Sequence, residues 1–292
     1  MREYIMSVER IFRALTTSEA VDLLKEYGDQ AQILAGGTDL LVQIREKHNR
    51  GSIMIDITDI KEVSNIEFTD TEMKIGAMVR FTDIVENEKI KSEFPGLWDA
   101  CKSVGSPQIR NLGTLGGNLA NGSPAADSAP PLMALGASIT AASSDGIRQI
   151  PLTEFYLGKG KTALKLDEML VSINIPLDAN KKQYLEFEKL GLRNALAISR
   201  ISASVSMVFN AKGVIETCRI ASGSLGLNPT RETELEVWFV GKTLDESLIK
   251  DGAKKFGDIV EDRLSGRSSM PYKREAVQGV LKPALRRILD RV

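Results

Sequence analysis

The sequence predicts an α+β chain, α/β in character at its start and closing on strands followed by helices. Three observations carry this. A capped helical pattern and two short apolar runs alternate over the first sixty or so positions. Period-two segments dominate the middle, and three helical patterns fill the end.

Taken in order, TTSEAVDLLKEYG (Thr16 to Gly28) opens on Ser/Thr, repeats Ala20, Val21, Leu23 and Leu24 at helical spacing, and closes on glycine. Gln32 to Ala35 suit a buried strand, and Gly36-Gly37 a tight turn. Thr38 or Asp39 then caps a helix carrying Leu40, Leu41 and Ile44. Ile53 to Ile57 complete a strand–helix–strand unit. Lys74 to Val79 read as a strand, FTDIVENE and LWDACKSV as helices, and Asn111 to Pro131 as a loop. Ala137 to Ser143 and Glu168 to Ile175 read as strands, the second alternating Met169, Val171, Ile173 and Ile175. PLDANKKQ, from Pro176, is the best domain boundary. ISASVSMVF and GVIETCRIA follow as strands. Glu232 to Val240, Asp245 to Asp262 and Tyr272 to Leu289 follow as helices.

Composition narrows the chemistry. A formal net charge of -1 lacks the basic excess a nucleic-acid binder needs. The N-terminal MREYIMSVERIFRAL breaks its apolar residues with charges, unlike a secretory signal, and no apolar run is long enough to cross a membrane. A cytoplasmic protein is expected. Cys101 and Cys218 match no metal or redox spacing and read as buried thiols. The single histidine, His48, reads as a solvated residue at a helix end. Such scarcity excludes a zinc centre, an iron–sulfur cluster and a Ser-His-Asp or Cys-His engine, and points to a bound organic cofactor.

One short similarity recurs, AGGTDL at Ala35 to Leu40 and LGGNLA at Leu115 to Ala120. Glycine admits positive φ and close approach of a ligand to the backbone, and successive N–H groups form anion-holding nests. Two such nests, the first beside a helix N-terminus, suit a diphosphate held without lysine. Against this, a Gly-Gly pair is more often a structural turn, and neither G-x-G-x-x-G nor G-x-x-x-x-G-K-[ST] is present. Asp127 in SPAAD reads equally as a turn-forming Asx residue or as an acceptor for ligand hydroxyls.

LAGGTDLLVQ, GSPQIRNLGTLGGNLANGSPAADSAPPLMAL and FEKLGLRNALAISRIS together resemble the FAD-binding (medium) subunit of the molybdenum hydroxylases. That family includes bacterial xanthine dehydrogenase, nicotinate dehydrogenase and carbon monoxide dehydrogenase. The resemblance covers essentially the whole chain, and SMPYKREAVQGVL looks like the family's closing helix. It implies the vanillyl-alcohol-oxidase/PCMH-type FAD fold. Two α/β FAD-binding subdomains, residues 1–60 and 61–175, would be followed by a C-terminal α+β domain, 176–292.

The resemblance also implies site residues. Leu34, Ala35, Gly36, Gly37, Thr38, Asp39 and Leu40 would lie along the FAD pyrophosphate. Gly113, Thr114, Gly116, Gly117 and Asn118 would form a second phosphate-side loop. Ser123 and Asp127 would hold the ribityl and adenosine part, Leu170 or Val171 would touch the ring system, and Lys189 would sit at the flavin's pyrimidine edge. Without the resemblance, Lys189 reads as an exposed strand lysine. Arg110 is open between phosphate contact and fixing its loop. FAD is expected to be non-covalent, because His48 lies outside every motif. The molybdenum cofactor would sit in a large partner subunit and [2Fe-2S] clusters in a small one, as a heterotrimer free to dimerise. The implied work is electron transfer through FAD to an acceptor such as NAD+, with no catalytic side chain and no metal in this chain. A stand-alone flavin-dependent oxidoreductase with its own substrate pocket and a redox-inert nucleotide-binding module are the rival readings. Oxidation at carbon needs a positioned acid or base, and no histidine lies in the motifs.

Overall fold

A computed structural model of the protein describes residues 8–46, 51–193 and 196–292; His48 lies outside the described residues. The first unit holds β1 (Arg10–Arg13), α1 (Thr17–Tyr27), β2 (Ala31–Leu34), α2 (Leu40–Arg45) and β3 (Ile53–Asp56). The strands form a parallel sheet in the order β1-β3-β2. As the sequence predicts, Thr16 caps α1 by accepting from the Glu19 N–H, and Gly28 ends it at φ 54°. Ala20, Val21 and Leu24 bury the inner stripe of α1 against Ile55 and Ile57. The strand β1, RIFR, was not legible. It is an edge strand with little burial, so the apolar alternation that marks strands is absent.

The second unit runs β4 (Ile66–Phe68), β5 (Glu72–Gly76), α3 (Phe81–Val85), α4 (Glu88–Glu93) and α5 (Pro95–Lys102). Next come α6 (Pro107–Arg110), α7 (Leu115–Ala120), α8 (Ala129–Leu135), β6 (Ser138–Ser143) and β7 (Gly146–Pro151). It ends with α9 (Leu152–Phe155), the ribbon β8 (Tyr156–Gly158) and β9 (Lys161–Thr162), and β10 (Met169–Pro176). Its five-stranded sheet, order β4-β5-β10-β6-β7, is wholly antiparallel. Ile75, Leu97, Leu115, Leu132, Ile139, Phe155 and Ile173 fill its core. The expected loop from Asn111 to Pro131 is corrected here, because α7 and the start of α8 lie within it. Thr114 supplies the cap that small-residue composition concealed, its hydroxyl accepting from the Gly117 N–H at 3.1 Å.

The third unit opens with β11 (Gln183–Leu190), β12 (Ile201–Phe209), β13 (Ile215–Gly223) and β14 (Thr230–Arg231), an antiparallel sheet in that order. The helices α10 (Thr233–Phe239), α11 (Glu246–Arg263) and α12 (Met270–Leu289) follow. Alternation on β12 assigns both faces. Ile201, Ala203, Val205 and Met207 join the apolar cluster of α11 and α12. Ser202, Ser204 and Ser206 are buried on the opposite face, which packs against α8. Gly96 on α5 lies so close to the backbone of Glu186 that an added Cβ would sit 2.8 Å from its carbonyl carbon. The second and third units are therefore stapled together. Buried Glu186 accepts from Arg287 at 2.6 Å and also from Arg291, which fixes the end of α12 to β11.

Candidate cofactor site

The strand β2 ends at Leu34, and the chain turns through Gly36 and Gly37 into α2. Gly37 adopts φ +69°, a conformation that costs side-chain-bearing residues about 1–2 kcal/mol. At Gly36 the requirement is steric, because a Cβ there would overlap the Leu112 carbonyl. The N–H groups of Gly36, Gly37, Thr38, Asp39 and Leu40 donate to no group among the described residues. Asp39 makes no capping bond, and partial desolvation by the surrounding chain raises its carboxyl above the usual range.

The second glycine segment lies against the first. Thr38 Oγ1 is 3.5 Å from where a Cβ on Gly113 would sit, and Ala35 Cβ is 3.8 Å from the same point on Gly117. Gln43 Nε2 donates to Asn121 Oδ1 at 3.0 Å and ties α2 to the end of α7. Leu34 to Leu40 and Gly113 to Asn118 are thus one place in the molecule. The expected second nest, however, is corrected. Leu115 N–H donates to Val79 O at 2.9 Å, Gly116 N–H to Ala77 O at 3.0 Å and Asn118 N–H to Thr114 O at 3.0 Å. With Gly117 N–H on the Thr114 hydroxyl, that segment has no N–H row to offer. Asn118 keeps a side-chain role, since its Oδ1 accepts from Ser128 at 2.6 Å and leaves the amide donors facing outward from that bond. Ser123 Oγ accepts from the Ala125 N–H at 3.2 Å.

Asp127 and Lys189, predicted for separate tasks, meet. Lys189 Nζ donates to Asp127 Oδ2 at 2.7 Å, to Ser103 O at 2.9 Å and to Ala197 O at 3.2 Å. Those are all the donors an ammonium has. Ser199 Oγ donates to the other Asp127 oxygen at 2.5 Å. Desolvation pushes the Asp127 carboxyl up, and the Lys189 charge and the hydrogen bonds from Lys189 and Ser199 pull it back. This buried cluster joins the second unit to the third beside the glycine segments. Ser103 and Ser199 escaped the sequence reading. Ser103 meets Lys189 through its carbonyl and Asp127 through its side chain, and Ser199 is one serine among several in a loop without periodicity.

A row of unpaired N–H groups with a steric cradle behind it is the donor set a diphosphate requires, so the residues present fit FAD. Two family models match the chain in tandem. The FAD binding domain in molybdopterin dehydrogenase covers residues 6–178, and the CO dehydrogenase flavoprotein C-terminal domain covers 187–288. The chain belongs to the FAD-binding subunits of the molybdopterin dehydrogenases. It is 36% identical to the nicotinate dehydrogenase FAD-subunit of Eubacterium barkeri over 96% of both chains. It is 30% identical to the xanthine dehydrogenase FAD-binding subunit of Escherichia coli O157:H7, over 94% of this chain and 93% of that one. The solved carbon monoxide dehydrogenase from Hydrogenophaga pseudoflava contains a chain that superposes with a TM-score of 0.88 at 28% identity, covering 97% of both.

In this flavoprotein Leu170 is buried in the core of the second sheet, next to a bulge between Leu170 and Ser172, and Val171 O accepts from the Ala77 N–H at 2.9 Å. Arg110 Nη1 donates to Val104 O and Gly105 O, both at 3.1 Å, so it fixes its loop. Cys101 and Cys218 are buried and unpaired, and desolvation pushes both thiols far up, which makes them inert. Among the described residues no cluster of His, Cys, Asp and Glu could hold a metal, and no helix is long and apolar enough to cross a membrane.

Proposed function

We propose that this chain carries non-covalent FAD as the electron-transfer subunit of a molybdenum-dependent dehydrogenase. It takes electrons from the [2Fe-2S] clusters of a small partner and passes them to an acceptor such as NAD+, while a large partner with the molybdenum cofactor oxidises the substrate. The observation that carries this reading is the open N–H row from Gly36 to Leu40, seated against the Leu112–Gly113 backbone. Those amides hold the diphosphate, with the Thr38 hydroxyl and the Asn118 amide alongside. Ser123 and Asp127 line the ribityl and adenosine part. Bound flavin supplies the exchange between single-electron and two-electron carriers.

Lys189 works chiefly by position in this reading. With every N–H engaged, it holds Asp127, the end of α5 and the loop at Ala197 as one wall, and adds a partly buried positive charge there. The three larger sheets support subdomains at residues 1–60 and 61–175 and a closing domain at 176–292. Buried, unpaired thiols support a reducing, cytoplasmic setting. The FAD names of the nicotinate and xanthine dehydrogenase relatives support the cofactor and a multi-subunit setting.

A visible spectrum of the natively purified protein tests this, together with mass analysis of the acid-released small molecule and of co-purifying chains. FAD with a molybdenum-cofactor chain and an iron–sulfur chain is expected. A folded chain purified with both partners but free of flavin would overturn the assignment.

A further inference from the structure

One face of the third sheet packs against α8 and α5, and at the end away from Lys189 it opens on a cavity of about 240 Å³. Strand register sets its floor. Gln183 stands opposite Val208, Val208 opposite Thr217, and Ser206 opposite Arg219, so these five side chains share the face. The segment that leaves β10 supplies the rest of the lining, with Pro176 and Leu177 as its apolar part. Lys181 in that segment donates to Glu216 at 2.5 Å and straps it to β13. The floor holds more hydrogen-bonding capacity than the protein uses. Gln183 Nε2 donates to Ser206 Oγ at 2.7 Å. Arg219 Nη1 donates to Leu135 O at 3.2 Å, beside Gly136, where an added Cβ would sit 2.7 Å from that nitrogen. Nε and Nη2 of Arg219, the Gln183 carbonyl oxygen and the Thr217 hydroxyl meet no partner among the described residues. Arg219 makes no ion pair among them either, since Glu236, whose charge it senses, is held by two bonds from Arg231. Desolvation disfavours the Arg219 charge, and Arg231 adds to the effect.

We propose that this cavity binds a small organic carboxylate, held by Arg219 and Thr217 with its apolar end against Leu177 and Val208. A planar guanidinium with its fork unused matches a carboxylate, and the Thr217 hydroxyl can donate alongside it. The charge count selects the class. Lys181 is already taken by Glu216, so one cation is left for the ligand, which suits a single negative charge better than a phosphate dianion. Asp178 also lines the cavity, but it is exposed and its Oδ1 accepts from the Asn180 N–H at 3.0 Å, closing its own turn. Size agrees as well, because a cavity of roughly 150 Å³ already takes benzene. The site touches none of the glycine segments and stands apart from the FAD reading. It lies where α8 of the second unit, the connecting segment and β13 of the third meet, so an occupant fastens that junction.

The test is calorimetric titration of the natively purified protein with acetate, butyrate, benzoate and inorganic phosphate. Butyrate should bind about tenfold more tightly than acetate, because its two extra methylenes are buried. Benzoate should bind at least as well as butyrate, and phosphate more weakly than either. Arg219→Gln should weaken butyrate by about tenfold or more, the size of a charge-assisted bond after solvent screening, and Arg219→Lys by less. Thr217→Val, at an exposed position, should weaken it about threefold and leave the unfolding midpoint without ligand unchanged. Butyrate should raise the unfolding midpoint of the wild type and not that of Arg219→Gln. No binding of any carboxylate by the wild type overturns the proposal, and so does equal butyrate affinity in a folded Arg219→Gln protein. Phosphate binding as tightly as butyrate overturns the ligand class. If Arg219→Gln does not fold, Thr217→Val decides, since an unchanged butyrate affinity there sinks the site.

Discussion

AGGTDL and LGGNLA share a Gly-Gly pair, lie against one another in the fold, and do opposite things with their backbones. In the first, Gly37 turns left-handed and five successive amides are left without partners among the described residues. In the second, the pair sits inside α7 and every amide from Leu115 to Asn118 is already bonded. The residue two ahead of each pair decides. Thr114 stands one residue before α7 and caps it, whereas Leu34 has no hydroxyl with which to cap anything. A small-residue motif therefore says that backbone will come close to something. It does not say whether that something is a ligand or the protein itself.

The sharpest break in the comparison is Gly36→Ala. The added Cβ would overlap the Leu112 carbonyl, and backbone cannot swing aside as a side chain can. A loss of about 3 kcal/mol or more is expected, read as a lowered midpoint in urea together with loss of flavin. Lys189→Met is next, because it leaves Asp127 buried without its cation, a change worth about 3–5 kcal/mol. The sign of its pH dependence follows from the carboxyl. Asp127 already has a folded pKa above the unfolded one, so its contribution to stability is fully present below the unfolded pKa and is lost as pH rises through the folded one. Removing Lys189 widens that window upward. Unfolding midpoints of wild type and variant should converge on acidification. With the cofactor placed as proposed, the flavin potential should also fall at pH values where Asp127 is ionised, because its carboxylate then stands uncompensated; an unchanged potential there in a folded, flavin-bearing variant would mean the pair does not sense the cofactor.

Gly37→Ala carries a smaller cost of about 1–2 kcal/mol from φ +69°, since its nearest neighbours are the flexible ends of Leu41 and Leu34. Its informative readout is flavin. Re-aiming the amide row should weaken FAD retention even where the fold survives, and full retention would relocate the diphosphate. Thr114→Ala should cost about 1 kcal/mol as a lost helix cap. It should leave flavin content alone, as measured by absorbance after gel filtration.

The capped helix α1 and the long helices of the third unit were legible because their burial is one-sided and periodic, the strands β12 and β13 because they are long apolar runs, and the turn at Gly36 because of its glycine pair. β1 and β4 were not, being short edge pieces with little to bury. At the site, glycine and threonine chemistry marked where the two segments would be, and the resemblance supplied their order. Pairings were beyond reach. Nothing local in SPAAD or FEKLG says that Asp127 will meet Lys189 across 62 positions of chain, and nothing in LAISR distinguishes Ser199 as its second partner. Such contacts are fixed by how α5 and α8 seat on the third sheet, a property of packing between units and not of any one of them.

Gly117→Ala is the gentlest variant and the one that isolates the ligand. Gly117 is exposed, lies inside α7 and has a helical backbone, so alanine gains about 0.5–1 kcal/mol of helix preference. Against this, the new Cβ sits 2.9 Å from Thr114 Oγ1, the atom that accepts the Gly117 N–H, and that hydroxyl must give slightly. Stability should stay within about 0.5 kcal/mol of wild type by urea titration. Because the fold is unchanged, flavin content reports only what passes over the exposed face of α7. If the diphosphate rests on Gly36 to Leu40 alone, FAD is retained in full. If FAD is lost from a protein of wild-type stability, the cofactor also crosses Gly117, and the second segment serves it by close approach although it has no amide left to donate.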